Sequence, residues 1–236
     1  WLYQTPAQIL VKASNGASDF GNKFGQPLIC GSLLTFEYKA PDGRSYAYDK
    51  VIMLAGGMGF ANRRDALKGQ PEAGEKVVVL GGDNYRIGMG GGAVSSVDTG
   101  RYASGIELNA VQRANPEMQK RAANVIRALA ESDDNPIVSI HDHGAGGHLN
   151  CLSELVETTG GRIDMDSLPV GDPTLSAREI IGNESQERMG LLIKEEDTAR
   201  VRRIAERERA PMYVVGETTG DMRFVFAQRD GTCPID

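Results

Sequence analysis

Cysteine, histidine and aromatic residues are scarce in this chain of 236 residues, which has three cysteines, three histidines, one tryptophan and 6% aromatic residues in all. Cys30, Cys151 and Cys233 are scattered and show no C-x-x-C spacing, which argues against a structural zinc site and for a reducing compartment. No H-E-x-x-H helix and no G-K-[ST] phosphate loop occur. Apolar runs are short, none approaching the ~18 residues needed to span a bilayer, so no membrane partner is expected. Basic residues are outnumbered, 26 against 32 acidic, for a formal net charge of −6. That balance disfavours a general nucleic-acid-binding surface and leaves open only a local basic groove. No signal peptide precedes Leu2, and the expected compartment is the cytoplasm. An initiator methionine is also lacking: the chain starts at Trp1 and goes straight into a helical pattern, so we expect a piece of something longer.

At 40% hydrophobic and 25% charged, the composition suits a globular core in one large domain, or one domain plus part of another. The chain is organised around Ile140-His141-Asp142-His143-Gly144-Ala145-Gly146-Gly147-His148-Leu149-Asn150, between the apolar run Pro136-Ile137-Val138 and a helical pattern at Leu149, Leu152, Leu155 and Val156. A strand there delivers a glycine-rich turn to a helix start, where exposed N–H groups favour an anion. Phosphate is the first ligand to expect, although packing alone also accounts for such turns. All three histidines lie in this stretch. His141 and His143, alternating on a strand, with His148 on the helix, are candidate zinc ligands. Asp142 better suits a hard cation such as magnesium, which takes one or two carboxylates and completes its shell with water and phosphate.

Along the chain, Thr5-Pro6-Ala7-Gln8 predicts a capped helix start, with a stop near Asn15-Gly16. Ser18 to Pro27 is too glycine-rich for a regular element, and is either a surface loop or a ligand-facing loop carrying Lys23. A strand is expected over Leu33 to Tyr38, turning at Pro41-Asp42-Gly43 onto Ser45 to Tyr48. Val51 to Ala55 and Lys76 to Leu80 are continuous apolar runs expected of strands buried on both faces, and a domain boundary is placed near residue 50. Gly88-Met89-Gly90-Gly91-Gly92-Ala93 fits G-x-G-x-x-A, but Ser95 to Gly100 behind it is a poor helix, which disfavours a dinucleotide site. Asn115 caps the clearest helix, with Pro116 at its first position and an end near Ser132. Just before it, Gln112 is either a solvated loop amide or a residue at the mouth of a site. Further on, Arg162 to Asp166 suggests a strand, Thr174 to Ile181 a helix, Met189 to Ile193 a strand and Glu195-Glu196-Asp197 the opening of an Arg-rich helix. Two more strands follow at Met212 to Val215 and Arg223 to Phe226. The polar block Asn183-Glu184-Ser185-Gln186-Glu187, running into a buried strand, marks either a site at the strand's edge or a capped turn. Alternating strands and helices make an α/β layer structure.

Five blocks in order, Gly21-Asn22-Lys23-Phe24-Gly25-Gln26-Pro27, Ile87 to Ala93, Val111-Gln112-Arg113 with Asn115-Pro116-Glu117, His141-Asp142 with Gly144 to Gly147, and Asn183 to Arg188, resemble the phosphoribosylformylglycinamidine synthases in their large single-chain form. The resemblance implies an α/β (α+β) fold in which residues 1–49 end an aminoimidazole-ribonucleotide-synthetase-like N-terminal half. Residues 50–236 would form the C-terminal half, a mixed sheet packed by helices. It implies a ligase that uses ATP and magnesium to activate the amide oxygen of formylglycinamide ribonucleotide, which glutamine-derived ammonia then replaces to give the amidine. Gln112, Glu184, Ser185 and Gln186 match the family's substrate-binding positions, Asp142 a magnesium ligand, and Thr35-Phe36-Glu37 a segment that touches nucleotide. His143 and His148 depart from the motif and take no catalytic role. The family's catalytic histidine, its main nucleotide loop and its glutaminase have no counterpart here, so the chain alone is expected to be inactive and to depend on the remaining domains of its parent. The alternative is a non-catalytic nucleotide- or phosphate-binding module of the same superfamily.

Overall fold

A computed structural model describes residues 4–48, 56–98, 100–110 and 115–236. The chain divides into two compact units, Trp1–Ala66 and Leu67–Asp236. The expected strand Val51 to Ala55 lies outside the described residues, and the units part after Ala66, beyond the division placed near residue 50.

In the first unit, helix α1 spans Pro6–Phe24 and starts as its sequence predicts: Thr5 and Gln8 form a reciprocal capping box, with Pro6 in the first turn. It does not stop at Gly16. The helix runs through to Gly25, which closes it in the left-handed conformation at φ 87° and donates to the Gly21 carbonyl at 2.9 Å. Side chains one turn apart support the extension: Lys23 pairs with Asp19 at 2.6 Å, and Phe20 stacks on Phe24 at 6.1 Å. These offset the cost of about 1 kcal/mol per interior glycine, and the loop expected over Ser18 to Pro27 is helix as far as Phe24. Strand β1 (Glu37–Lys39) pairs antiparallel with β2 (Ser45–Ala47) across the predicted Pro41-Asp42-Gly43 turn. β1 is shorter than Leu33 to Tyr38 would allow, so Thr35 and Phe36 precede it.

The second unit is built on a six-stranded sheet in the order β4-β6-β3-β7-β5-β8. Its strands are β3 (Lys76–Leu80), β4 (Ile137–Asp142), β5 (Gly161–Asp164), β6 (Met189–Ile193), β7 (Met212–Thr218) and β8 (Phe224–Ala227). Neighbours are antiparallel except β5 and β8, which run parallel, so the sheet is mixed. The continuous apolar run Lys76 to Leu80 is a strand buried on both faces, as expected, and β6 beside it is covered likewise: Val77 to Leu80 and Leu191 to Ile193 have no exposed surface.

Alternation divides these strands between two cores. Val77, Val79, Leu192 and Val215 face Cys151, Leu152 and Leu155 of α5 (Gly147–Leu155) and Ile181 of α6 (Ala177–Ile181). Val78, Leu80, Leu191 and Ile193 face Ala122, Val125 and Leu129 of α4 (Pro116–Ala130) and Val201 and Ala205 of α7 (Thr198–Arg207). Asn115 caps α4 through Met118 N–H, as predicted. The expected strand to Asp166 ends at Asp164, because Asp164 accepts from the Asp166 N–H and turns the chain into a 3-10 segment at Met165–Ser167. The helix expected from Thr174 begins only at Ala177, after a Ser176–Glu179 capping box. Glu195–Asp197 forms a 3-10 turn leading into α7, and Arg209 lies beyond that helix at φ 56°. Two short helices, α2 (Gly91–Ser95) and α3 (Ser104–Asn109), complete the unit. Among the described residues no helix is long and apolar enough to cross a membrane.

Candidate functional site

Three segments far apart in sequence meet at one end of the second unit's sheet: the glycine run 88–92, the turn 143–147 between β4 and α5, and the block 183–188 entering β6. Their backbones approach so closely that side chains are excluded at several points. A Cβ on Gly147, which holds φ 57°, would lie 2.4 Å from the Asn183 carbonyl oxygen, and one on Gly88, at φ 79°, would lie 2.1 Å from the Glu184 carbonyl oxygen. Glu184 N–H donates to the Gly88 carbonyl at 2.8 Å, and Ser185 N–H to the His143 carbonyl at 3.0 Å. Asn183 Nδ2 donates to the carbonyls of Tyr85 and Ile87 at 2.8 and 2.7 Å.

Glu184 is 2% exposed. Its Oε1 accepts from Gly92 N–H at 3.2 Å in the first turn of α2 and from Gly146 N–H at 3.1 Å at the cap of α5. The anion expected at this glycine turn is therefore supplied from within, by a carboxylate standing where an external phosphate was expected. Ser185 is 1% exposed, and its buried hydroxyl has no hydrogen-bond partner among the described residues, whereas Gln186 is exposed at the surface. The three members of the triplet thus differ in what they offer a ligand.

Asp142 ends β4 with an exposed side chain, and its Oδ1 accepts from Gly144 N–H at 2.8 Å. Beside it, His141 Nε2 meets Glu154 Oε2 at 2.5 Å. The zinc arrangement is not formed. His143 lies beyond the strand, fully buried, with its Nε2 2.9 Å from His148 Nδ1, while His141 is engaged elsewhere. Among the described residues no group of three or more His, Cys, Asp or Glu side chains is placed to hold a metal. Burial, reinforced by the Arg188 guanidinium, pushes His143 and His148 well below the usual imidazole range, so both are neutral.

Gln112 lies outside the described residues. Thr35, Phe36 and Glu37 belong to the first unit, where Phe36 is half exposed and packs on Tyr48 at 5.5 Å. Two residues with no role in the sequence pattern stand out. Arg188 and Asn84 are both completely buried and bonded to each other through Nη1 and Oδ1. Asn84 follows the glycine pair that ends β3, and nothing local distinguishes it from an ordinary turn asparagine.

The family described as AIR synthase related protein, C-terminal domain, matches residues 72–227. A phosphoribosylformylglycinamidine synthase of Dictyostelium discoideum is 45% identical over 98% of this chain and 17% of its own length. The human protein of the same name is 43% identical over 99% of this chain and 18% of its own. The chain thus spans under a fifth of these relatives. Among solved structures, Thermotoga maritima PurL complexed with FGAR superposes with a TM-score of 0.72 at 23% identity, over 93% of this chain and 35% of that one. The same organism's PurL complexed with ATP gives 0.64 at 20% identity, over 94% and 33%. At these identities the superpositions show a shared fold.

Proposed function

The chain belongs to the family of AIR synthase related proteins, carrying their C-terminal domain, and from that membership we propose that it is the part of a phosphoribosylformylglycinamidine synthase that holds the ribonucleotide substrate. The parent reaction would use ATP to phosphorylate the glycinamide carbonyl oxygen of formylglycinamide ribonucleotide, leaving the formyl group untouched. Ammonia drawn from glutamine would then displace that oxygen as phosphate, giving the amidine. Phosphorylation turns a poor leaving group into a good one, so a ligase of this kind gathers substrate and phosphate sites in one place.

The observation that carries this reading is the convergence of residues 88–92, 143–147 and 183–188, three of the five matching blocks, into one packed unit. Within it, Gln186 faces outward and would contact substrate, a role that the family pattern also gives to Gln112. Glu184 fixes the two helix starts from below. Asp142 offers one exposed carboxylate at the end of an edge strand, a donor that fits magnesium when water and phosphate complete the shell. Magnesium held there would neutralise phosphate charge. Thr35, Phe36 and Glu37 would contact the nucleotide. The free cysteines Cys30, Cys151 and Cys233 are in keeping with a reducing cytoplasm.

The test is substitution of Gln186 by alanine in the chain at its natural length, with formylglycinamide ribonucleotide and ATP binding measured separately. Loss of substrate binding with nucleotide binding intact supports the reading. Equal loss of both, or of neither, contradicts it. The 236-residue chain alone should form no amidine from ammonia, ATP and substrate.

A further inference from the structure

Among the described residues Arg188 is the largest side chain with no exposed surface, and its guanidinium joins segments that are distant in sequence. Nη2 donates to the Asn183 carbonyl at 2.6 Å and to Asn183 Oδ1 at 2.8 Å. Nη1 donates to Asn84 Oδ1 and lies 3.3 Å from His148 Nε2. Asn84 in turn donates through Nδ2 to the Pro169 carbonyl at 2.6 Å and to His148 Nε2 at 3.1 Å.

The direction of each bond follows from the donors. His148 Nε2 faces two groups, Asn84 Nδ2 and Arg188 Nη1, that can only donate, so it accepts. Its proton is therefore on Nδ1, where it is donated to His143 Nε2 at 2.9 Å. Asn183, Arg188, Asn84, His148 and His143 thus form one continuous chain of hydrogen bonds beneath the meeting point of the three segments.

Stability is a poor explanation for a cation in this position. Burying a guanidinium costs several kcal/mol in desolvation, and apolar replacements of buried charges are often as stable or more so. A planar fork of fixed N–H directions supplies geometry instead. We infer that Arg188 is a positioning residue for the proposed substrate site, holding Asn183 so that Glu184 reaches Gly92 and Gly146 and Gln186 stays at the surface. Its functional half rests on the substrate reading above, while its structural half stands without it.

The test uses Arg188→Lys and Asn84→Ala in the chain at its natural length, with Thr218→Val as a control. Thr218 is equally buried and bonds to Glu75 N–H at 2.9 Å on β7. Amide hydrogen exchange is read first. Selective acceleration of at least tenfold at Gly92, Gly146, Glu184 and Ser185 is expected in both test variants, with Leu191 and Leu192 in β6 still protected. Unchanged exchange, or loosening of all amides in parallel, overturns the inference. Binding is read second: a tenfold weaker grip on formylglycinamide ribonucleotide with ATP affinity within twofold supports it. Equal weakening of both ligands, or of neither, overturns it. If the unmodified protein takes no formylglycinamide ribonucleotide, the proposed function fails, and the exchange result alone decides the role of Arg188.

Discussion

Glu184 accepts a hydrogen bond from the backbone of Gly146 at 3.1 Å across 38 residues of sequence, so the helix start that most resembles an anion site is already occupied by one of the chain's own carboxylates. The distinction between Glu184 and its neighbours in the triplet follows from that bond. Replacing Glu184 by glutamine keeps an oxygen acceptor and should cost little stability. Alanine removes that acceptor from the part-buried Gly92 and Gly146 N–H groups, with an expected loss of about 1 kcal/mol, the size of a typical net hydrogen bond. Urea unfolding of the two variants checks this. Similar midpoints for both would mean that the carboxylate braces nothing.

Glycine substitutions should separate close approach from conformational freedom. Gly147→Ala would place its Cβ 2.4 Å from the Asn183 carbonyl at a positive φ, with an expected loss of more than about 2 kcal/mol. Gly16→Ala, inside α1 with nothing within 4 Å of the added methyl, should stabilise that helix by about 0.5–1 kcal/mol. Thermal and urea unfolding give the two signs directly.

His143 and His148 are held neutral by burial and by Arg188, with pKa values well below the usual 6.5. Between the native and unfolded values the unfolded chain binds more protons, so stability is complete above about pH 6.5 and falls as the pH drops below it. Each imidazole contributes a slope of about 1.4 kcal/mol per pH unit. Unfolding free energies measured from pH 8 to pH 5 should bend downward near pH 6.5, and His148→Gln should flatten that bend. A profile that His148→Gln leaves unchanged would place the lost protons elsewhere.

Thiol chemistry offers a separate probe of the core. Cys30 and Cys233 are exposed, while Cys151 is buried and its thiol is pushed far up by desolvation. A thiol-specific disulfide reagent should modify the two exposed cysteines in the native chain and the third only on unfolding. Rapid reaction of Cys151 in the native state would contradict the packing of α5 on the sheet.

The local signals were legible in sequence, and the long-range ones were not. β3 appears as an uninterrupted apolar run because both its faces are covered. Thr5 with Gln8, and Asn115 with Met118, are caps whose partners lie three residues away. α1 outran its expected stop at Gly16 because the Lys23–Asp19 and Phe20–Phe24 pairs support the helix beyond glycines that propensity alone would take as an end. Of the site, the glycine blocks and the Asn183–Gln186 block were visible as motifs. That Glu184 turns inward while Gln186 turns out was not visible, since it depends on Gly92 and Gly146. The bond from Arg188 to Asn84 crosses 104 residues, and no local pattern in either segment announces it.

The central claim is that residues 88–92, 143–147 and 183–188 form one site for a purine-pathway ribonucleotide. It is tested most directly by titrating formylglycinamide ribonucleotide into the isotope-labelled chain at its natural length and following backbone amide resonances. The account predicts shifts at Gly88 to Gly92, Gly144 to Gly147 and Ser185 to Gln186 that saturate together with a single dissociation constant. Saturable shifts confined to other parts of the sheet, or three segments that respond with different constants, would contradict it.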